Sequence, residues 1–479
     1  MKKLVLFALL ATFLAFPLTA FGTMGQMSPK SKDINVEFFG RLKTYPTWVS
    51  DMNFNSDRDS ETIGGKDIID GFGDESGFMT DHNIRNELRM GWKGGNDTFD
   101  FLIILEADFN LNKKDADRWP GSAGAAFGVE KLDIGYNFGP FRLHTGWADY
   151  EYLDMLTGGL VYGNDHPYIG LNGNIGEDFS WRLNYITVFD QTTSSGAIDP
   201  WDGDDLDWRV YTVKGTYTIP SGFAKGFVIS PFYAFSDNNA QNNAEVSYFG
   251  LEGYGKLGIF TPRFEIAYAD GDTDVNPDTG KDYDISAMAA YASVDVEICP
   301  GFIPYVGFRY MEGDDNPDDD DIDAYNSIGD IMRYTPTFGM ENGIVYRSVS
   351  ALQTALYAGN FNGFGGQTGY GGDGNTETGD APGLVMWGLG FKGKYDKWSY
   401  KVQYMDFQFD EEPIGLDGTR TDDEVGQEFN LRVAYTFGKH FTMANTFAAF
   451  DPGDAIEDMW GSDYDDTALV NTIELIWIW

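Results

Sequence analysis

The residues of this chain that could do chemistry are charged side chains spaced two apart, with apolar residues between them. Arg85, Glu87 and Arg89 alternate with Leu88 and Met90, and Arg41 and Lys43 flank Leu42. Catalysis finds no matching set: His82, His144, His166 and His440 are scattered, and Cys299 is the single cysteine. That one thiol excludes an intrachain disulfide framework and a cysteine zinc site. Spacing by two places side chains on one face of a strand, so the charges belong to the polar faces of a sheet. On those faces fall Glu37, Lys43, Glu87, Lys93, Glu106, Asp108, Arg182, Arg263, Glu265, Arg309, Arg432 and Glu474. Singly, each is an ordinary ion-pair partner between neighbouring strands. Together they cannot face hydrocarbon, and they predict a wet lumen.

The elements that must position them are amphipathic strands of about ten residues. Phe99, Phe101, Ile103 and Leu105 oppose Asp100 and Glu106; Phe429, Leu431, Val433 and Tyr435 oppose Glu428, Asn430 and Arg432. Short turn clusters such as Gly94–Asp97, Gly139-Pro140 and Asp396-Lys397 alternate with long polar connections. This alternation predicts an all-β, transmembrane antiparallel barrel of about eighteen strands, with sixteen and twenty as alternatives, short periplasmic turns and long extracellular loops. The stretch 312–382 is the ambiguous one, because 343–359 reads as a loop helix or as two extra strands. Whether that stretch enters the pore is open at this stage.

Residues 1–22 carry two lysines, an apolar run and Ala20-Phe21-Gly22, the pattern of an export signal. Residues 23–33 are then a short periplasmic segment and 34–479 the barrel, with no plug domain ahead of the first strand. The formal net charge is −42, which argues against nucleic acid as a partner.

The chain ends TALVNTIELIWIW. Trp477 and Trp479 share an apolar face and Glu474 lies on the opposite one, which predicts a closing strand that pairs with residues 34–43. This ending and the loop pattern resemble the general-diffusion porins of Gram-negative outer membranes. The resemblance implies an outer-membrane homotrimer embedded in lipid and lipopolysaccharide. It also implies that the terminal aromatic is read by the barrel-assembly machinery. In that family the third long loop folds inward and sets carboxylates against arginines of the first strands. Transferred here, Glu151 and Asp154 face Arg41, Arg85 and Arg89 across a constriction. The loop lacks the Pro-Glu-Phe-Gly-Gly stretch of enterobacterial porins.

Several loops are strongly acidic. Asp314, Asp315, Asp318, Asp319 and Asp320 are candidate ligands for structural Ca²⁺ or Mg²⁺; no other cofactor is expected. Asp270 to Asp274 begins like a calcium loop, but Val275 and Lys281 replace its turn glycine and its bidentate acid. The expected function is a passive channel for small hydrophilic solutes and ions, with cation preference set by the acidic mouths. The alternatives are a substrate-specific channel, the barrel sleeve of an electron conduit, and a structural or cation-bridging surface barrel.

Overall fold

A computed structural model describes residues 34–51, 54, 62–63, 66–67, 75–76, 84–110, 128–147, 153–154, 156–163, 166–191, 206–239, 244–273, 282–316, 319–329, 337–344, 370, 382–413, 420–460 and 462–479. The export signal, the segment 23–33, Glu151 and Asp318 lie outside the described residues, as does the side chain of Asp108.

Eighteen antiparallel strands close into one barrel. They are β1 (Asn35–Ser50), β2 (Ile84–Gly95), β3 (Phe99–Asn110), β4 (Gly128–Asn137), β5 (Phe141–Trp147) and β6 (Pro167–Ile175). Next come β7 (Phe179–Gln191), β8 (Leu206–Thr218), β9 (Val228–Asn238), β10 (Ala244–Tyr254), β11 (Phe260–Asp272) and β12 (Asp284–Val296). The last six are β13 (Ile303–Met311), β14 (Leu384–Tyr395), β15 (Trp398–Gln408), β16 (Glu424–Thr436), β17 (Phe441–Pro452) and β18 (Ala468–Ile478). Closure satisfies every edge, which is what makes a sheet viable in lipid. Outward residues include Phe249, Leu251, Ile266, Phe308 and Leu389, all exposed, while Glu252, Glu265 and Arg309 of the same strands point inward and are buried. An apolar outer band over a charged interior is the transmembrane arrangement.

The seam is where the terminal strand was expected. Arg41 pairs with Ile478, Lys43 with Ile476 and Thr47 with Thr472. One boundary differs from expectation: β1 runs to Ser50, seven residues beyond Lys43. The strand passes through Pro46, and the pairing to β18 skips from Thr44 to Thr47. Proline has no N–H, so it removes a rung without ending the strand. Aromatic rings form a continuous girdle along one rim, from Trp398–Tyr435 and Tyr435–Phe437 to Phe437–Phe441 and Phe441–Trp477, with centroids 4.7 to 5.3 Å apart.

Candidate pore constriction

Two chain segments fold into the barrel. The first, within 153–163 of the third long loop, is described at 153–154 and 156–163. The Glu265 carboxylate on β11 accepts the N–H groups of Gly158 (2.7 Å), Gly159 (3.0 Å) and Leu160 (3.2 Å). Thr157 Oγ1 lies 2.7 Å from a Glu265 oxygen and 2.8 Å from a Glu252 oxygen, and Arg309 on β13 donates to the Gly158 carbonyl at 2.9 Å. Lys214 on β8 bonds both Glu252 and the Leu153 carbonyl. Gly158 is required by this closeness: a Cβ there would lie 2.7 Å from the Cβ of Tyr291. Glu252 and Glu265 stand directly opposite each other on β10 and β11, an arrangement that repels until the loop donors fill the gap.

The placement of this loop corrects the expected constriction. Asp154 does not face the early arginines. It is wholly buried and accepts the backbone N–H groups of Val161 (2.5 Å) and Tyr162 (3.2 Å). Glu265 and Arg309 likewise point inward, but the loop covers them, so they anchor it rather than line open lumen.

The second connection contributes residues 322–329 and 337–344. Ile328 N–H donates to Val161 O at 2.9 Å, Gly163 N–H to Gly329 O at 2.6 Å, and Tyr325 Oη to Leu160 O at 3.1 Å. The two loops therefore brace one another. Residues 337–344 then follow the inner wall from β12 to β1. Tyr291 bonds Thr337 (2.8 Å), Gln403 the Phe338 carbonyl (2.6 Å), and Lys401 the Thr337 and Gly339 carbonyls (2.8 and 3.0 Å). Glu428 accepts Ile344 N–H at 2.7 Å and Glu474 accepts Asn342 Nδ2 at 2.9 Å. Of the stretch 312–382, residues 322–329 and 337–344 thus enter the barrel. Glu474 was expected to face water; it is instead buried between Arg432 (2.6 Å), Thr446 (2.6 Å) and Asn342.

Between these contacts the segment presents Glu341 to the first strand. Lys43 Nζ lies 2.6 Å and Tyr45 Oη 2.5 Å from its carboxylate. Burial pushes that carboxyl up, but Lys43 and Tyr45 outweigh it and hold it at about 2, so it stays ionised. Behind it Glu87 receives Arg41 and Arg89 (3.1 Å), and Arg89 also reaches Glu106 and Glu130 (2.8 Å). Arg41, Arg89, Lys43, Glu87 and Glu106 are thus brought together. Arg85 lies on the same inward face of β2, half-buried. The guanidinium side chains are the accessible part: Arg41 is 33% and Arg89 32% exposed, against 4% for Glu87. Glu341, 32% exposed, is the acid that shows.

Farther round the wall, Arg263 and Lys392 share Asp295 at 3.2 and 3.0 Å. Arg182 is half-buried on the inward face of β7, in register with Lys214 on β8. Glu37 and Lys93 pair at 3.2 Å and are exposed at the rim that carries the short turns. The inner wall of β4 and β5 adds Arg142, which bonds Asp100 and Asp133. The acidic loop does not assemble a cation cradle among the described residues. Asp314 accepts Asn316 N–H, and Asp319 is engaged by Asn316 and by the N–H of Asp321. Asp315 and Asp320 do not join them in a metal-holding group.

A transmembrane β-barrel with inward-folded loops and a charged lumen is the porin class of fold. No family model and no curated protein matches the chain. Among solved structures it is similar to OccK9 (OpdG) of Pseudomonas aeruginosa, at 12% identity and TM-score 0.51, over 93% of this chain and 98% of that one. It is also similar to OccAB2 of Acinetobacter baumannii (11% identity, TM-score 0.50, 93% and 98% covered) and to OccK11 (OpdR) of Pseudomonas aeruginosa (11%, 0.50, 93% and 96%). What is shared with them is the outer-membrane porin fold.

Proposed function

We propose that this chain is a porin of a Gram-negative outer membrane, admitting small hydrophilic solutes by passive diffusion past an eccentric constriction. The observation that carries this reading is the partly exposed array of Arg41, Arg89 and Glu341 inside a barrel whose outer wall is apolar. Charges held opposite one another over a water path orient polar solutes and penalise apolar ones. Residues 156–163, 322–329 and 337–344 oppose the sleeve alternative, which needs an unobstructed bore. Planar-bilayer recording tests the reading: stepwise conductance that grows with salt supports it, saturation by one solute favours a specific channel, and absence of steps sinks both.

The sign of selectivity is proposed anew. Acidic mouths suggest cations, but at the constriction the guanidinium groups face the water while Glu87 lies beneath them. This stretch of the wall therefore favours anions, and a zero-current potential of cation sign would overturn the reading.

A homotrimer also has one supporting observation. Asn445 and Asn471 occupy the outward faces of β17 and β18 and hydrogen-bond each other at 2.8 Å. Amides in contact with hydrocarbon are costly, so a second copy of the chain is the proposed neighbour of this sector. Cross-linking in native membranes that yields only monomers would remove it.

A further inference from the structure

The third-loop segment is tied to the wall through three carboxyl groups sealed from solvent: Asp154, Glu252 and Glu265. Lys214 on β8 and Arg309 on β13 are the cations set against them. Tyr325 of the second inward segment stands close enough to Asp154 and Glu265 to feel their charge, and Tyr291 of β12 packs on Gly158. Glu252 is satisfied by Lys214 and Thr157. Asp154 and Glu265 are both sealed and gather the consecutive N–H groups of one turn, Gly158 to Tyr162, which brings their carboxyl groups together. An ionised carboxylate can only accept, so a bond between two of them contains a proton.

We propose that Asp154 and Glu265 share one proton, and that this proton locks segment 153–163 onto the wall so that the inward loop loosens when the pH rises. The proton lets two carboxyl groups lie together while both serve the same loop. Asp154 gathers the N–H groups of Val161 and Tyr162, and Glu265 those of Gly158, Gly159 and Leu160. Removing it leaves two negative charges in a sealed site, and repulsion acts on the bond that joins loop to strand. Burial first, and then the charge of Glu252, push the Asp154 carboxyl upward from the ordinary range. A raised value means that the lock is complete in acid and is lost as pH climbs through it. The backbone bonds of Val161 and Gly163 to Ile328 and Gly329 couple the second connection to the same event.

This inference rests on the channel reading for its consequence, but its test does not. Folded protein in detergent is cleaved with a broad-specificity protease across a pH series, and cutting within 153–163 is compared with that in Asp154→Asn at each pH. The amide can still accept from Val161 and can donate to Glu265, so the variant imitates the protonated pair permanently. Wild-type cutting relative to the variant should rise on the alkaline side, by up to about tenfold per pH unit for one proton. A flat ratio overturns the proposal. In bilayers, wild-type channels should gain alkaline current fluctuations that Asp154→Asn lacks; equal fluctuations in both would also overturn it. Absence of conductance at every pH counts against the channel reading alone, since the cleavage ratio still decides the lock. Glu265→Gln repeats the test from the other side should Asp154→Asn fail to fold.

Discussion

Lys43 on the first strand and Glu341 in the longest connection are 298 positions apart in sequence and 2.6 Å apart inside the barrel. The pair joins the second inward segment to the closing seam, because Lys43 is also in register with Ile476 of β18. Through Glu87 it reaches Arg41 and Arg89 as well. This ion pair therefore adds to the wall bonds that hold residues 337–344 and places Glu341 beside the two guanidinium groups.

Replacing Glu341 with Gln keeps the shape and removes the charge. Anion preference should increase, and the segment should loosen by about 1–2 kcal/mol because its bonds to Lys43 and Tyr45 become neutral ones. The zero-current potential under a salt gradient reads the first effect; an unmoved potential would take Glu341 out of the constriction. The pH sign follows from its depressed value of about 2. The stabilisation is complete above the ordinary carboxyl range and is lost as pH falls from there toward about 2.

Arg41 and Arg89 should carry the selectivity itself. Converting both to Gln leaves Glu87 buried without its guanidinium partners, which costs about 3–5 kcal/mol for a buried pair. Adding Glu87→Gln should restore most of that stability. The triple variant should conduct with its preference moved toward cations. A reversal potential equal to wild type would show that ions do not pass these side chains.

The barrel, its closing strand and the inward faces of the charged residues were legible in the sequence, because strand alternation and turn chemistry act over a few residues. The loop that meets the arginines was not. Glu341 lies in a connection without periodicity, and its partners Lys43, Tyr45 and the wall residues around Asn342 come from distant strands. Asp154 misled for a related reason. A carboxylate in a long polar loop reads as exposed, whereas the backbone turns on itself and consumes it. The facing pair Glu252 and Glu265 was the available hint, since two acids in register require donors from elsewhere.

Asp314 offers a test in the acidic loops, outside the barrel strands. Burial raises its carboxyl first, and Asp323 and Asp319 add to this against the N–H of Asn316, bringing it to about 7. A raised value places its stabilising neutral form at low pH, and the benefit is lost as pH climbs through about 7. Asp314→Asn should therefore protect the loop from protease at about pH 8 and leave it unchanged at about pH 4. Equal protection at both would show that the carboxyl is not strained by its neighbours.

The seam gives the last prediction. Gly40 and Trp479 exchange both backbone bonds, at 3.0 and 3.1 Å, and the indole lies across the glycine so closely that a Cβ would sit 2.4 Å from the ring. A leucine at position 40 must displace Trp479 from the girdle, at about 1–3 kcal/mol for overpacking. Deleting Trp479 removes the same ring and two rungs of the closing pair. The two changes separate assembly from closure. If the aromatic is the assembly signal, the deletion should abolish insertion in cells, while Gly40→Leu inserts in reduced amount and unfolds at a lower temperature. Both proteins, refolded in detergent, should still conduct, since neither residue reaches the constriction. Loss of conductance in refolded protein would instead make Trp479 a structural clasp of the pore.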